Sequence, residues 1–291
     1  MTINRREFLM TSGMLASGAA LASMGCKSSK ASSGAGKTKP YGIQLYSVRD
    51  DIPKDPRGVL KNLASYGYTQ VESFEGAQGM FWGMTNKEFK AYMDSLGMTI
   101  ISSHCNIAKD FEKKAAEAAE IGMKYLICPF IGPRKTVDEF KHIAEQFNAA
   151  GEVCKKNGIR FAYHNHGYSF VPVEGQLQQD VMIQNTDAAL VDYEMDIYWV
   201  VTAGANPEEW MKKYPNRFKL CHIKDRGKQF DPKEANASVD LGTGSIDFPA
   251  ILKTAKATGM QYYIVEQERY DNTTPMKSAE VDAVYMKKLL A

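Results

Sequence analysis

The sequence predicts one closed (β/α)8 barrel over residues 40–291, with no second domain. Three observations carry the prediction. Short apolar strands alternate with amphipathic helices from Pro40 onward, a glycine repeatedly separates a helix from the strand after it, and the strands number eight. A chain of 291 residues is long enough for a barrel of roughly 250 residues and a leader. An open doubly wound sheet fits less well, because no GxGxxG phosphate loop follows any strand.

Residues 1–26 read as an export signal. Arg5-Arg6 stands ahead of Phe8-Leu9 and a weakly apolar run from Met10 to Met24, the twin-arginine arrangement. That run is about 15 residues, short of the roughly 18 to 20 a spanning helix needs. Gly25-Cys26 is similar to a lipoprotein cleavage site, so an exported, periplasmic protein is expected, either free or anchored to the membrane through a lipid on Cys26. Residues 27–39 are rich in Ser, Gly, Ala and Lys and read as a flexible tether.

The barrel strands follow in order. Gly42–Leu45 opens it. Then come Thr69–Glu72 after Gly67, Thr99–His104 after Gly97, Lys124–Cys128 after Gly122, and Ile159–His164 after Gly158. Ala189–Asp196 and Phe218–His222 are the sixth and seventh strands, and Gln261–Glu266 after Gly259 is the eighth. Glycine suits the position just past a helix because it tolerates positive φ. Amphipathic helices are expected over Phe111–Ile121, Val137–Lys156, Glu208–Tyr214, Phe248–Ala257 and Ala279–Leu290, with Asp110 and Asp138 as caps near helix starts. The polar stretch from Gly227 to Gly244 reads as an excursion over the barrel mouth.

Composition narrows the function. Hydrophobic residues at 44% and charged residues at 24% are ordinary for a folded domain. Lys and Arg total 36 against 34 Asp and Glu, a net charge of +2, which disfavours a nucleic-acid partner. Five cysteines are too few for a disulfide framework, and Cys105, Cys128, Cys154 and Cys221 fit buried free thiols.

Active sites of such barrels lie at the carboxyl ends of the strands. Here those ends carry Gln44, Glu72, His104, His164 with His166, Asp196, His222 with Lys224, and Glu266, and they hold four of the five histidines. A lone strand-end histidine is commonly a hydrogen-bonded structural residue, and a lone Asp or Glu a helix cap. The set argues otherwise. His164, Asp196, His222 and Glu266 end four consecutive strands, so their side chains can converge. Two imidazoles and two carboxylates suit a divalent metal with room for substrate oxygens. Trp199, Tyr46 and Phe81-Trp82 are candidates for stacking on a ligand ring or for core packing. Arg134 and Arg226 read as anion contacts or as surface.

Several segments together resemble the sugar phosphate isomerase/epimerase group of xylose isomerase-like barrels. They are Tyr163-His164-Asn165-His166, Met195–Val200 with Ala203–Pro207, His222-Ile223-Lys224-Asp225, Asp240–Gly244 and Ile264–Gln267. The resemblance covers about residues 40–291, and its most specific parts are His-x-Lys-Asp and Asp-x-Tyr-Trp. It implies a divalent metal held by His164, Asp196, His222 and Glu266. By similarity to dehydratases of the group it also implies His166 and Lys224 as substrate or proton-transfer residues, and His104 as a substrate contact. Gln44, Glu72 and Trp199 complete the expected substrate-binding set, and Glu266 joins His166 and Lys224 as a catalytic residue.

One departure shapes the expected chemistry. Ketose epimerases of the group carry Glu where this chain has His164, so the two-glutamate proton transfer of an epimerase lacks one member. A lyase, hydratase or isomerase of a keto sugar or keto-glycoside, working through an enediolate, is expected. Replacing a carboxylate by imidazole favours Mn, Zn, Co or Ni over Mg. An exported enzyme is expected to handle unphosphorylated sugars or glycosides. Two other readings stay open: a metal-bearing sugar-binding lipoprotein without turnover, and an AP-endonuclease-like hydrolase, which the charge opposes. Oligomerisation is left open.

Overall fold

The computed structural model describes residues 39–291 except residue 232. The expected export signal over residues 1–26, the lipid site at Cys26 and all of the tether but Lys39 lie outside the described residues.

Eight strands form a closed barrel. They are β1 (Gly42–Gln44), β2 (Gln70–Phe74), β3 (Thr99–His104), β4 (Tyr125–Cys128), β5 (Arg160–His164), β6 (Val191–Asp196), β7 (Phe218–Ile223) and β8 (Tyr262–Val265). Every strand pairs in parallel with its neighbours in sequence, and β1 pairs with β8 to close the ring. Parallel strands need crossovers, and helices supply them: α1 (Pro56–Tyr66), α2 (Asn86–Ser95), α3 (Phe111–Glu120), α4 (Val137–Lys156), α5 (Gln178–Gln184), α6 (Ile197–Thr202), α7 (Pro207–Lys213), α8 (Phe248–Ala257) and α9 (Pro275–Leu289).

Local chemistry explains the helix ends. Thr85 and Thr136 form reciprocal capping boxes with Glu88 and Glu139. Asp55, Asn206 and Thr274 cap helices that begin with proline, whose missing N–H costs nothing at that position. The five glycines read as helix terminators, Gly67, Gly97, Gly122, Gly158 and Gly259, all have φ between +70° and +106°. Three expectations need correction. Helix α9 begins at Pro275, four residues before Ala279, because Thr274 accepts from the Lys277 N–H. Asp110 sits at the start of α3 but makes no capping bond. Asp138 lies inside the first turn of α4, where Thr136 is the cap and Asp138 pairs with Lys141 at 3.1 Å.

Two apolar layers follow from the closure. Phe140, Ile143, Ala144, Phe147 and Cys154 of α4, at helical spacing, pack with Phe161 and Tyr163 into the large core between sheet and helices. Tyr125, Ile127, Ala162, Leu220 and Ile264 fill the barrel interior as a separate cluster. At the amino ends of the strands, Asp192 accepts from Tyr125 Oη at 3.0 Å and from Arg160. The carboxyl ends are therefore the open, polar end of a filled barrel.

The predicted excursion after β7 is an ordered loop. Its base is an antiparallel ribbon of Asp225–Arg226 with Ser238–Val239. The Asp225 carboxylate accepts from the N–H groups of Arg226, Gly242, Gly244 and Ile246, and so ties the loop to its root.

Candidate metal centre and active-site cavity

Register and alternation aim the site residues. Along β6, Asp192, Glu194 and Asp196 all face the barrel interior, since side chains repeat every two residues. Asp196 pairs with His222 across β6 and β7, and Glu194 pairs with His164 across β5 and β6. Asn165 fastens the tops of β5 and β6 by bonding both backbone polar groups of Asp196, each at 3.2 Å. Asp196 is also the N-cap of α6, its Oδ1 accepting from the Trp199 N–H at 3.1 Å.

Four donor atoms converge at this point. His164 Nε2 lies 3.3 Å from His222 Nδ1 and 3.5 Å from Asp196 Oδ2. His222 Nδ1 lies 3.2 Å from Glu266 Oε2 and 3.8 Å from Asp196 Oδ2. A tetrahedron with metal–ligand bonds of about 2.0–2.2 Å has edges of about 3.3–3.6 Å. Asp196 Oδ2 is buried and has no hydrogen-bond partner. Burial and the neighbouring His222 and His104 depress the pKa of His164, leaving the neutral ring that a metal ligand requires. These four residues fit a divalent ion.

A second group of two histidines and two carboxylates lies beneath, sharing His222, and its geometry differs. His222 Nε2 donates to Glu72 Oε1 at 2.7 Å, and His104 Nε2 donates to Glu194 Oε2 at 2.8 Å. Those are hydrogen-bond lengths. Glu72 also accepts from Gln44 Nε2 at 2.7 Å and from Ser102 Oγ at 2.5 Å. Burial opposes the Glu72 charge, but His104 and His222 outweigh it and hold the carboxylate ionised. A carboxylate only accepts, so a proton sits on His222 Nε2. Burial opposes a second one, but Glu194, Glu266 and Glu72 outweigh it and raise the His222 pKa. Nδ1, hydrogen-bonded to Glu266 Oε2, must therefore give up its proton to take an ion. Burial also opposes charge on His104, yet Glu72 and Glu194 hold its pKa at about 9. Glu194 is pushed up to about 7 by burial and by Glu72.

Above the donors opens a cavity of about 540 Å³ lined by Tyr46, Phe74, His104, Phe130, His164, His166, Trp199, Glu266 and Glu268, among others. His166 is neutral, pushed down to about 3 by burial and by His164. Lys224 is buried beside Glu268, 3.4 Å from Glu266 Oε2 and 4.0 Å from Asp196 Oδ2, with its ammonium over the Tyr198 and Trp199 rings. Burial disfavours its charge, but Glu266, Asp196 and Glu268 outweigh that and keep Lys224 protonated.

His104, His164, His166, Trp199 and Glu266 therefore all border the cavity, as do Tyr46 and the newly found Phe130 and Glu268. Gln44 and Glu72 do not. Both are fully buried and committed to the layer beneath, so they are not substrate contacts. Phe81 and Trp82 are buried core residues, Trp82 Nε1 donating to Ser73 Oγ at 3.1 Å. Arg226 ties the excursion loop, donating to Tyr198 Oη at 3.1 Å and to the Glu234 carbonyl at 2.8 Å. Arg134 borders a neighbouring pocket rather than this one. Glu194 was legible in principle, because its spacing from Asp192 and Asp196 puts all three acids on one strand face. Glu268 and Phe130 lie on loops past their strands, where no periodicity marks them.

Comparison with known proteins agrees with this architecture. A sugar phosphate isomerase/epimerase from Parabacteroides distasonis is 31% identical, superposes with a TM-score of 0.77, and is covered over 99% of its length by 90% of this chain. An inosose dehydratase from Clostridium perfringens is 28% identical over 146 residues, 46% of this chain and 48% of that one. The chain thus spans about half the length of the first curated relatives it matches. An inosose dehydratase from Geobacillus kaustophilus is 24% identical over 269 residues, 76% of this chain and 84% of that protein. Residues 60–289 match the model of the xylose isomerase-like TIM barrel family. The eight-stranded parallel barrel, the match across most of its length and the solved sugar phosphate isomerase/epimerase relative place this chain in the xylose isomerase-like TIM barrel family.

Proposed function

We propose that this protein is a divalent-metal-dependent enzyme acting beside the carbonyl of an unphosphorylated sugar, with a lyase, hydratase or isomerase outcome. The observation that carries the reading is the convergence of His164 Nε2, Asp196 Oδ2, His222 Nδ1 and Glu266 Oε2 at the floor of a cavity that His166 also borders. The relatives include inosose dehydratases and a sugar phosphate isomerase/epimerase, which supports the same class of enzyme.

The residues divide the work. His164, Asp196, His222 and Glu266 would hold the ion. Bound there, a divalent ion supplies Lewis acidity toward a sugar carbonyl and its neighbouring hydroxyl. His166 is a neutral imidazole on the cavity wall, and either it or Glu266 would accept the proton from the carbon α to the carbonyl. Lys224 stays charged behind the lining, 3.4 Å from Glu266 Oε2, so it serves as a fixed positive charge or, through Glu266, as a proton donor toward a developing oxyanion, not as a base. Glu268 orients it. His164 is a ligand without a proton to exchange at carbon, which argues against epimerisation by two opposed bases.

The cavity lining carries Glu75, Glu266 and Glu268 and neither arginine nor lysine among the described residues. A phosphate group would meet these carboxylates without a bidentate partner, so the substrate is taken to be unphosphorylated. Export to the periplasm belongs to the same proposal, and cell fractionation of the full chain tests it. The decisive experiment is incubation of the metal-loaded protein with a panel of keto sugars in D2O. Deuterium should appear at the carbon α to the carbonyl. If no sugar exchanges, isomerises or loses water while several bind, the protein is a sugar-binding protein and the enzymatic reading fails.

A further inference from the structure

Among the described residues, four large apolar side chains are exposed: Tyr46, Phe130, Val171 and Val284. The two aromatic ones, at 39% and 58% exposure, both border the active-site cavity. Neither is loose. Tyr46 meets Phe74 in a T-shaped contact at 5.2 Å, Phe74 meets Trp82 likewise at 4.8 Å, and the Arg49 guanidinium covers the Tyr46 ring at 4.7 Å. Phe130 meets His166 at 5.2 Å and Tyr168 at 5.5 Å, both near perpendicular. Rings held stiffly yet left in water lose little entropy on stacking and gain the burial of their apolar area.

Position and size point the same way. His164, His166 and Glu266 are the polar groups of the proposed chemistry on the lining, with Trp199 beside His166 at 5.5 Å between ring centres. Tyr46 lies in the single 3-10 turn Leu45–Val48 that follows β1, Phe130 in the loop that follows β4, and both border the same cavity. A space of about 540 Å³ falls in the roughly 300–1,000 Å³ range that takes a drug-sized ligand, more than a lone hexose fills.

We propose that the substrate is a glycoside, whose carbonyl-bearing ring lies against the donor cluster while the ring linked to it stacks on Tyr46 and Phe130. This rests on the sugar-carbonyl reading above and adds a second subsite to it. The linked ring is either a second sugar or an aryl aglycone, since both present an apolar face.

Binding measured without turnover tests it. The metal-loaded full chain is titrated by ligand-observed NMR with methyl β-D-glucopyranoside, phenyl β-D-glucopyranoside and cellobiose, which share one ring and differ in what is linked to it. At least one ring-bearing probe should bind roughly 5-fold or more tighter than the methyl glycoside, and Phe130→Ala and Tyr46→Ala should each remove about 2- to 12-fold of that gain. Neither variant should change the methyl glycoside. A gain for phenyl alone assigns an aryl aglycone, and a gain for cellobiose alone assigns a disaccharide. Equal affinity for all three probes, no binding of the ring-bearing ones, or equal losses on all three would overturn the subsite. The preference appearing without deuterium exchange would remove the proposed chemistry and leave the subsite standing.

Discussion

Glu72 and His222, 150 residues apart in sequence, are joined by a 2.7 Å hydrogen bond inside the barrel. The bond sets which nitrogen of His222 faces the donor cluster, and Glu72 is itself steadied by Gln44 and Ser102. Carboxylates behind ligand histidines fix the ring's tautomer and raise its basicity.

Glu72→Gln should therefore keep the fold and lose metal affinity by about 10- to 100-fold, the usual cost of removing such a partner. Calorimetric titration with Zn2+ or Mn2+ measures it. Unchanged affinity would show that the orientation of His222 does not depend on Glu72.

Purified protein should contain about one divalent ion per chain, and His222→Ala should lose most of it by elemental analysis. Chelation of the wild type should lower its melting temperature, because an ion at 100 times its Kd adds about 2.7 kcal/mol to the folded state. Full metal content in His222→Ala would sink the assignment of the centre.

His166→Ala and Lys224→Met should retain metal and lose turnover by about 10²- to 10⁴-fold each, the range for general acid–base groups. The comparison of metal content with rate separates these residues from the ligands. Full activity in both variants on the identified substrate would remove their proton-transfer roles.

Cys105, Cys128, Cys154 and Cys221 are buried and free. Burial raises the pKa of Cys128 and of Cys154 to about 12. The neutral thiol thus persists below that value, and the reactive thiolate gathers only as pH climbs toward it. Peptide-by-peptide labelling of native protein at pH 8 should leave all four unmodified, with Cys26 scored separately. Rapid labelling of any of the four would show that its segment opens readily. A cross-linked pair among them would refute the free-thiol assignment.

Gly151 lies inside α4, where helix propensity favours alanine by about 1 kcal/mol. A Cβ there would stand 2.7 Å from Leu190 Cβ and 2.8 Å from the Leu190 carbonyl oxygen. Overpacking of this kind costs about 1–3 kcal/mol, so Gly151→Ala should lower the melting temperature rather than raise it. A rise would mean that α4 can shift away from the start of β6.

The barrel was legible from the chain alone because its signals are local. Gly67, Gly97, Gly122, Gly158 and Gly259 need positive φ where helices stop, and alternation and helical spacing are properties of a few adjacent residues. The set His164, Asp196, His222 and Glu266 was legible for a related reason: topology places successive strand ends side by side. What the chain alone left undecided depends on register between distant strands. The register of β2 against β3 shifts between Val71 and Glu72, and that of β6 against β7 shifts between Tyr193 and Glu194. Only the closed ladder therefore sets the heights at which Glu72 and Glu194 enter the interior. Glu72 ends up beneath the site rather than in it for this reason, and Gln44, its register partner on β1, stays bonded to it there. The exposure of Phe130 and the pairing of Lys224 with Glu268 come from loops that take their shape from the barrel rim. Local sequence determined which elements form, and the closure of eight strands decided which of their polar side chains meet.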